Sequence, residues 1–452
     1  METDWKKLKL RLKSRGWDPD VSIPGESKLE KKFISRVMIA ENDPDIFIPC
    51  FFRFLFRRNH IFLGDSNWRM NRWLQAIILA EPHLLIGEEV PEKMKAEYSK
   101  HREPVASFCD QEACIMLPTG GSTGGLRFAV HHWDQFEIAV SGFQKHFKKE
   151  KINNCCVLPL YHVGGFMQVL RSLITDGALN FFSWSQINKG FIPDIEYKDY
   201  FISLVPTQLS RLLQREDAVE WLKAFKTVLI GGAATSETLL DKARSSGINL
   251  APSYGLTETA AMVASHLPED FLQGRSGSGR PLPHVKITIQ DEKGNVVPSG
   301  LPGRIIIKTA ALSQGYYPAT ELPINDGFIT GDEGYLNREG DLHILGRLDQ
   351  IIITGGEKVE PLEVEAALFA TGMVKDSWVT GSPDPEWGQC VTAIYVPNDT
   401  EVTGEKLKKS LVDKLSPHQI PKLWIPLKNI PRNSAGKIQR EKINFKKLIT
   451  NL

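Results

Sequence analysis

The segment Leu117-Pro-Thr-Gly-Gly-Ser-Thr-Gly-Gly-Leu-Arg127 gathers groups able to hold a polyphosphate. Its glycines leave the backbone free to turn several N–H groups toward one point, which makes a concavity for anions. Thr119, Ser122 and Thr123 add hydroxyl donors, and Arg127 adds a cation. Gly120 and Gly125 keep the spacing of a Walker-type loop, but Leu126-Arg127 stands where that loop requires Lys followed by Ser or Thr. A Walker loop also opens a helix, whereas residues 126–130 read as strand. The expected element is therefore a strand–loop–strand phosphate clamp in which Thr119, Gly120, Gly121, Ser122, Thr123, Gly124 and Arg127 face the phosphates. The plain alternative is a Gly/Ser turn.

Further along stand Ser253-Tyr-Gly-Leu-Thr-Glu-Thr259, Thr330-Gly-Asp332, Gly346-Arg-Leu-Asp349, Ile353-Thr-Gly-Gly-Glu357 and Pro431-Arg-Asn-Ser-Ala-Gly-Lys437. Together with the glycine loop, and in this order, they resemble the core motifs of the adenylate-forming superfamily of acyl-CoA synthetases, peptide-synthetase adenylation domains and luciferases. The resemblance runs from about residue 114 to the C-terminus; the chain is short for the family, and its first hundred or so residues are less informative. Leu158-Pro-Leu-Tyr-His-Val-Gly-Gly165 and Arg127-Phe-Ala-Val-His-His-Trp133 are most similar to the o-succinylbenzoate–CoA ligase family of menaquinone and phylloquinone synthesis, in particular its cyanobacterial and plastid members. One departure is Leu126-Arg127 where the family commonly has Pro-Lys, which keeps the charge and changes its geometry.

The resemblance implies an ATP-dependent ligase that makes an acyl-adenylate and then an acyl-CoA thioester. Two anions must meet in the first step, so fixed positive charge and oriented donors are needed at the α-phosphate. Lys437 is the implied catalytic lysine, Thr257 the α-phosphate donor, and Glu258 the ligand of Mg2+, an ion that bridges phosphates. Asp332 would accept from the ribose hydroxyls and Arg347 would assist at ribose or phosphate. Gly231, Gly232 and Ala233 would face the adenine, with Tyr254, between Ser253 and Gly255, stacked on the ring. Asp349 matches the hinge about which the small domain rotates, and Gly355 and Gly356 would let the pantetheine arm of coenzyme A pass. His162 would contact or gate the acyl substrate, and Arg171 is a candidate partner for a second substrate carboxylate. Bland alternatives stay open for several of these: a helix-start carboxylate for Glu258, a solvated tail lysine for Lys437, a strand-to-helix turn for Gly231 and Gly232, a structural histidine for His162 and a solvated helix arginine for Arg171.

Short apolar runs alternate with helix-like stretches from about Cys114 onward. That pattern predicts an α/β fold with mostly parallel sheets. After about residue 280, strands separated by Gly/Pro/Asn turns predict an antiparallel β-rich subdomain reaching 348. Residues 349–452 read as a small α+β domain, mobile by resemblance, with a strand at 350–354 and a helix opened by Pro361; residues 1–348 form the large N-terminal domain.

The 55 basic and 54 acidic residues nearly cancel, which removes the electrostatic argument for a nucleic-acid partner or an anionic membrane. No run is long enough to span a bilayer. Residues 1–17 predict an amphipathic first helix on the domain surface, weighed against a membrane-surface helix. The six cysteines show no metal-ligand spacing, and a reduced cytoplasmic protein is expected. Oligomeric state is not encoded in any of these features. The weighed alternatives in function are a CoA ligase for another aryl or fatty acid, an adenylation enzyme loading a carrier protein, and a non-catalytic nucleotide-binding protein.

Overall fold

A computed structural model describes residues 4–23, 35–68, 70–87, 113–120, 126–318, 321–323, 326–384, 386–433, 438–439 and 443. Four short parallel strands, β1 (Arg36–Ile39), β2 (His60–Leu63), β3 (Leu84–Ile86) and β4 (Ile115–Gly120), begin a first sheet. β4 turns back into β5 (Leu126–His131) as an antiparallel pair, placing Thr119 opposite Arg127. A second sheet holds the parallel strands β6 (Asn153–Cys156), β7 (Leu179–Phe181), β8 (Tyr200–Leu204), β9 (Thr227–Ile230) and β10 (Leu250–Leu256). Antiparallel β11 (Ala261–Ser265) and β12 (Arg280–Pro281) extend it. The alternation of apolar strand and helix thus gives the expected α/β architecture.

The antiparallel stretch after residue 280 is a four-stranded sheet of β13 (Val285–Gln290), β14 (Gly303–Thr309), β16 (Phe328–Leu336) and β17 (Leu342–Arg347). Between its second and third strands the chain leaves to lay β15 (Gly315–Tyr317) against β5, at the edge of the first sheet. The C-terminal sheet contains β18 (Ile352–Thr354), β19 (Glu357–Val359), β20 (Val374–Asp384), β21 (Gly388–Pro397) and β22 (Leu423–Pro426). Helix Pro361–Phe369 opens on its proline and buries Val364 and Leu368 against this sheet, in one apolar cluster with Val379 and Val391. The strand expected from residue 350 starts later, at Ile352, because Leu348–Gln350 forms a 3-10 turn.

Helix Val163–Thr175 shows why the two large sheets hold together. It is buried on nearly every side, enclosing Phe166, Met167, Val169, Leu170 and Leu173 together with the polar Gln168, Arg171 and Ser172. Its long apolar side chains need neighbours on several sides. Phe51 of helix Pro44–Phe56 meets Phe166 edge to face at 5.0 Å, and Phe136 of helix Trp133–Phe147 does so at 5.4 Å. Each such aromatic contributes ~1.5–3 kcal/mol through burial. The last carbonyls of the helix are capped from outside: Arg11 Nη1 donates to Leu173 O (2.9 Å) and Ile174 O (2.7 Å). The first helix, Trp5–Ser14, is thereby docked on the protein with Leu8 and Leu12 buried. No helix of the described residues is long and apolar enough to cross a membrane.

His284, before β13, sits against helix Trp133–Phe147 at Gly142, where a Cβ would come within 1.8 Å of Nδ1. Both ring nitrogens are buried with no partner among the described residues. Burial, then nearby Lys145, lowers its pKa to about 4. The unfolded chain, at about 6.5, binds the proton more readily, so this group's contribution to stability is present above pH 6.5 and fades as pH falls toward 4. Thermal unfolding at pH 7 and pH 5 should register a loss of about 2 kcal/mol from this residue. His284→Phe should show a smaller acid-induced drop; an identical drop would assign the effect elsewhere.

Candidate active site

The parallel strands of the second sheet all end at one edge, and in open α/β sheets ligands bind beyond the carboxyl ends of the strands. After β6 comes His162, the N-cap of helix Val163–Thr175, with extended backbone (φ −87°, ψ 142°). After β9 come Gly231, Gly232 and Ala233, with Gly232 in the left-handed region (φ +81°) and both Gly232 and Ala233 exposed. Ser253 of β10 donates from Oγ to Ile230 O (2.9 Å), tying these two strand ends together. Tyr254 and Gly255 follow, and the β10–β11 register shifts between them, the kind of irregularity that re-aims side chains. The topology therefore gathers His162, Gly231, Gly232, Ala233, Ser253, Tyr254 and Thr257 at this edge.

Thr257 and Glu258 lie on a 3-10 turn, Thr257–Thr259. Ala260 (φ +51°) and Ala261 (φ +81°) then occupy left-handed backbone, which disfavours a non-glycine residue by about 1–2 kcal/mol. Surrounding bonds hold the turn in that shape. His131 Nε2, at the end of β5, donates to Thr257 O (2.9 Å); burial lowers the His131 pKa to about 4 and keeps the ring neutral. Ser313 N donates to Glu258 O (2.7 Å). Thr259 Oγ1 accepts from Leu256 N (3.2 Å) and lies within donating reach of Ala261 O (2.9 Å).

Glu258 itself is 8% exposed, and its Oε1 accepts from the Tyr316 hydroxyl at 2.7 Å. Burial, followed by the Glu258 charge, pushes the Tyr316 pKa well up, so the phenol keeps its proton. The Arg127 guanidinium lies 4.2 Å from the centroid of the Tyr316 ring. Arg127 Nε is buried without a partner among the described residues. The described residues contain no cluster of three or more His, Cys, Asp or Glu able to cage an ion. A lone carboxylate suits Mg2+, which is commonly held by one or two carboxylates and the substrate's phosphates.

Asp332 and Arg347 are placed by strand register, being direct partners across β16 and β17. Asp332 is 5% exposed and its Oδ2 accepts from the Tyr254 hydroxyl at 2.5 Å. Burial raises its pKa, opposed by the Tyr254 bond and the Arg347 charge. Burial and Asp332 also push the Tyr254 pKa well above its ordinary value. Arg347 Nη1 stands 3.7 Å from Asp332 Oδ1, while Nε and Nη2 fork onto the two oxygens of Asp349 at 2.9 and 3.0 Å. That fork raises the guanidinium pKa further. Tyr254, Asp332, Arg347 and Asp349 thus form one continuous polar chain leading away from the strand edge.

Gly355 (φ +59°) and Gly356 (φ +87°) make the two-residue turn between β18 and β19, a hairpin geometry that needs positive φ at both positions. Gly121, Ser122, Thr123, Gly124 and Lys437 lie outside the described residues.

Arg171 is not brought to this edge. It lies nine residues beyond His162 along the helix, about 13 Å at helical rise. The solvated-arginine alternative is overturned as well, since the side chain is 4% exposed. Its guanidinium sits 3.9 Å over the Phe143 ring, and burial lowers its pKa to about 9. Sequence reasoning passed over His131, Ser313 and Tyr316. The first lies in the Arg127–Trp133 motif, yet its role depends on a strand pairing that spacing does not reveal.

An α/β body with buried polar groups converging beyond the carboxyl ends of its parallel strands has the arrangement of a nucleotide-using enzyme. The chain belongs to the AMP-binding enzyme family, whose model matches residues 70–317, and the AMP-binding enzyme C-terminal domain matches residues 363–437. It is similar to the 2-succinylbenzoate–CoA ligase of Bacillus velezensis, 29% identical over 78% of this chain and 73% of that one. The enzyme of the same name from Enterococcus faecalis is 28% identical over 86% of this chain and 82% of its own. In fold it is similar to the o-succinylbenzoate CoA synthetase of Bacillus subtilis in complex with the acyl-adenylate intermediate, with a TM-score of 0.76, 22% identity, and coverage of 97% of this chain and 91% of that one.

Proposed function

We propose that the protein is an AMP-forming acid–thiol ligase that converts o-succinylbenzoate, ATP and coenzyme A to o-succinylbenzoyl-CoA, AMP and pyrophosphate, as in menaquinone or phylloquinone synthesis. The observation that carries the reaction type is the pinned Thr257–Thr259 turn with Glu258, Tyr316 and Arg127 behind it, beside the Tyr254–Asp332 pair. The choice of acid is supported by the relatives named 2-succinylbenzoate–CoA ligase.

In the first step the substrate carboxylate attacks the α-phosphorus and pyrophosphate leaves, giving the mixed anhydride. Thr119, the glycine loop and Arg127 hold the β- and γ-phosphates, and Thr257 donates to the α-phosphate. Glu258 would hold a magnesium ion arriving with the triphosphate, which supplies charge neutralisation between the phosphates. Asp332 takes the ribose hydroxyls, with Tyr254 and the segment containing Gly231, Gly232 and Ala233 at the adenine. Lys437 spans carboxylate and α-phosphate as a compact charge. In the second step residues 349–452 rotate as a small domain about Asp349 against residues 1–348. The coenzyme A thiol, passing Gly355 and Gly356, then attacks the acyl carbon and expels AMP. His162 at the helix start faces the acyl group. Arg171 serves the second carboxylate only if that group reaches between helices Val163–Thr175 and Trp133–Phe147.

A cytoplasmic setting is supported by the thiols: Cys155, Cys156 and Cys390 are buried and in no disulfide, and burial pushes Cys156 up to about 12. Burial raises the Cys155 pKa as well, so this adjacent pair stays protonated and resists oxidation.

Acid-dependent ATP–pyrophosphate exchange across a panel of aryl, fatty and amino acids, followed by a thioester assay with coenzyme A, tests the proposal. Exchange should be strongest with o-succinylbenzoate, and the thioester should follow. Exchange with long-chain acids alone would replace the acid but keep the reaction, and no exchange with any acid would leave a nucleotide-binding protein.

A further inference from the structure

We propose that Tyr316 is a positioning residue for nucleotide activation. Its hydroxyl takes one oxygen of Glu258 and its ring carries the Arg127 guanidinium, so that one side chain aims the metal-binding carboxylate and the phosphate-binding cation at the same triphosphate. The inference rests on the adenylating reading above. It adds a residue from outside the motifs that carry that reading.

The geometry follows from the detour of the chain into β15. That strand runs antiparallel to β5, with Tyr316 opposite Ala129 and Tyr317 opposite Phe128. Arg127 lies two residues from Ala129 and so shares a sheet face with Tyr316 as its diagonal neighbour. Its guanidinium is 4.2 Å from the ring centroid, within the range of an attractive cation–π contact. On the other side, the hydroxyl reaches Glu258 Oε1 at 2.7 Å. Tyr316 is 6% exposed and Glu258 8%, so little water competes for either contact.

The consequence is a division of labour within one carboxylate. Oε1 is occupied by the phenol, and no other described side chain bonds this group, which leaves Oε2 as the oxygen offered to a cation. One oxygen from one carboxylate is the contribution an octahedral Mg2+ takes when phosphates and water supply the rest. Arg127 is meanwhile stacked on the Tyr316 ring, with Nε buried and without a partner among the described residues. A guanidinium held this way loses less freedom when it meets a phosphate.

The test measures binding rather than turnover. Calorimetric titration of a non-hydrolysable ATP analogue, methylene-bridged between the α- and β-phosphates, is repeated over a range of Mg2+ concentrations and in EDTA. Tyr316→Phe keeps the ring and deletes the hydroxyl. The Mg2+ concentration giving half-maximal analogue binding should rise about tenfold, the scale of one hydrogen bond to a charged group. Tyr316→Leu also removes the ring from beneath Arg127 and should weaken binding of the analogue in EDTA by several-fold, the scale of a partly buried cation–π contact. Placed in a Glu258→Gln background, Tyr316→Phe should add nothing to the Mg2+ shift, because the carboxylate charge that the hydroxyl aims at the cation is gone. Unchanged Mg2+ dependence in Tyr316→Phe, or full additivity with Glu258→Gln, would overturn the inference. If the unaltered chain fails to bind the analogue with Mg2+ at all, it is the adenylating reading that fails instead.

Discussion

Lys437→Ala is expected to lower acid-dependent ATP–pyrophosphate exchange by about 10²–10³-fold, or ~3–4 kcal/mol of barrier, while the same chain still converts a supplied acyl-adenylate and coenzyme A to the thioester. The asymmetry comes from charge. In the first step an anionic carboxylate approaches an anionic phosphate, and the five-coordinate phosphorus gathers more negative charge than the reactants held there. A preorganised ammonium between the two groups stabilises that state more than it stabilises the separate substrates. In the second step a thiol attacks an activated acyl carbon and the phosphate leaves, so the same ammonium has far less to do. The flanks of this lysine are anchored. Arg432 forks onto Asp376 at 2.8 and 3.1 Å, pairs as a β-bridge with Ile438, and Gln439 N donates to Pro431 O at 2.8 Å. Lys437 therefore directly precedes a tethered residue. Lys437→Arg keeps charge but spreads it over a planar fork and should recover only part of the exchange rate. Equal loss of both half-reactions in Lys437→Ala would remove the assigned role and point to a structural part for this segment.

The motifs were legible because each is local. Glycines that turn a hairpin, a carboxylate beside a threonine, and a proline that opens a helix all declare themselves within a few residues. The α/β architecture was legible for the same reason, since each strand of the second sheet is a short apolar run ended by a turn. What was not legible depends on long sequence separations. Tyr316 and Glu258 are 58 positions apart, and His131 and Thr257 are 126 apart. The first contact exists because the chain leaves the antiparallel sheet to pair β15 with β5, and a three-residue strand of Gly-Tyr-Tyr carries no sign of that destination; the second joins the end of β5 to the turn after β10. The burial of Arg171 was hidden for a different reason. A charged residue on a helix reads as solvated unless the whole helix is known to be enclosed, and enclosure of Val163–Thr175 comes from aromatic residues on two other helices. The left-handed backbone at Ala260 and Ala261 was equally hidden, because alanine advertises no positive φ.

Asp349→Pro should spare adenylation, within about threefold, and slow thioester formation about 100-fold, equivalent to ~2.7 kcal/mol. The 3-10 turn Leu348–Gln350 is the connection between β17, paired in the antiparallel sheet, and β18, paired in the C-terminal sheet. A rotation of one sheet against the other is absorbed most cheaply by the backbone of such a short element end. Proline holds φ near −65° and also pushes the preceding residue, here Leu348, toward extended backbone. In the proposed two-step cycle only one of the two orientations can then be reached. A second effect must be separated from this one, because the substitution also deletes the carboxylate that Arg347 grips at 2.9 and 3.0 Å. Releasing Arg347 frees its guanidinium for Asp332, already 3.7 Å away, or for the nucleotide, and that change acts on the first half-reaction. Asp349→Ala deletes the carboxylate and keeps φ free. If the backbone is the hinge, the alanine chain changes adenylation modestly and forms thioester at near the unaltered rate, while the proline chain stalls after the adenylate and accumulates it. If alanine and proline slow the thioester step alike, the function of Asp349 lies in its bond to Arg347, and rotation must occur about another residue.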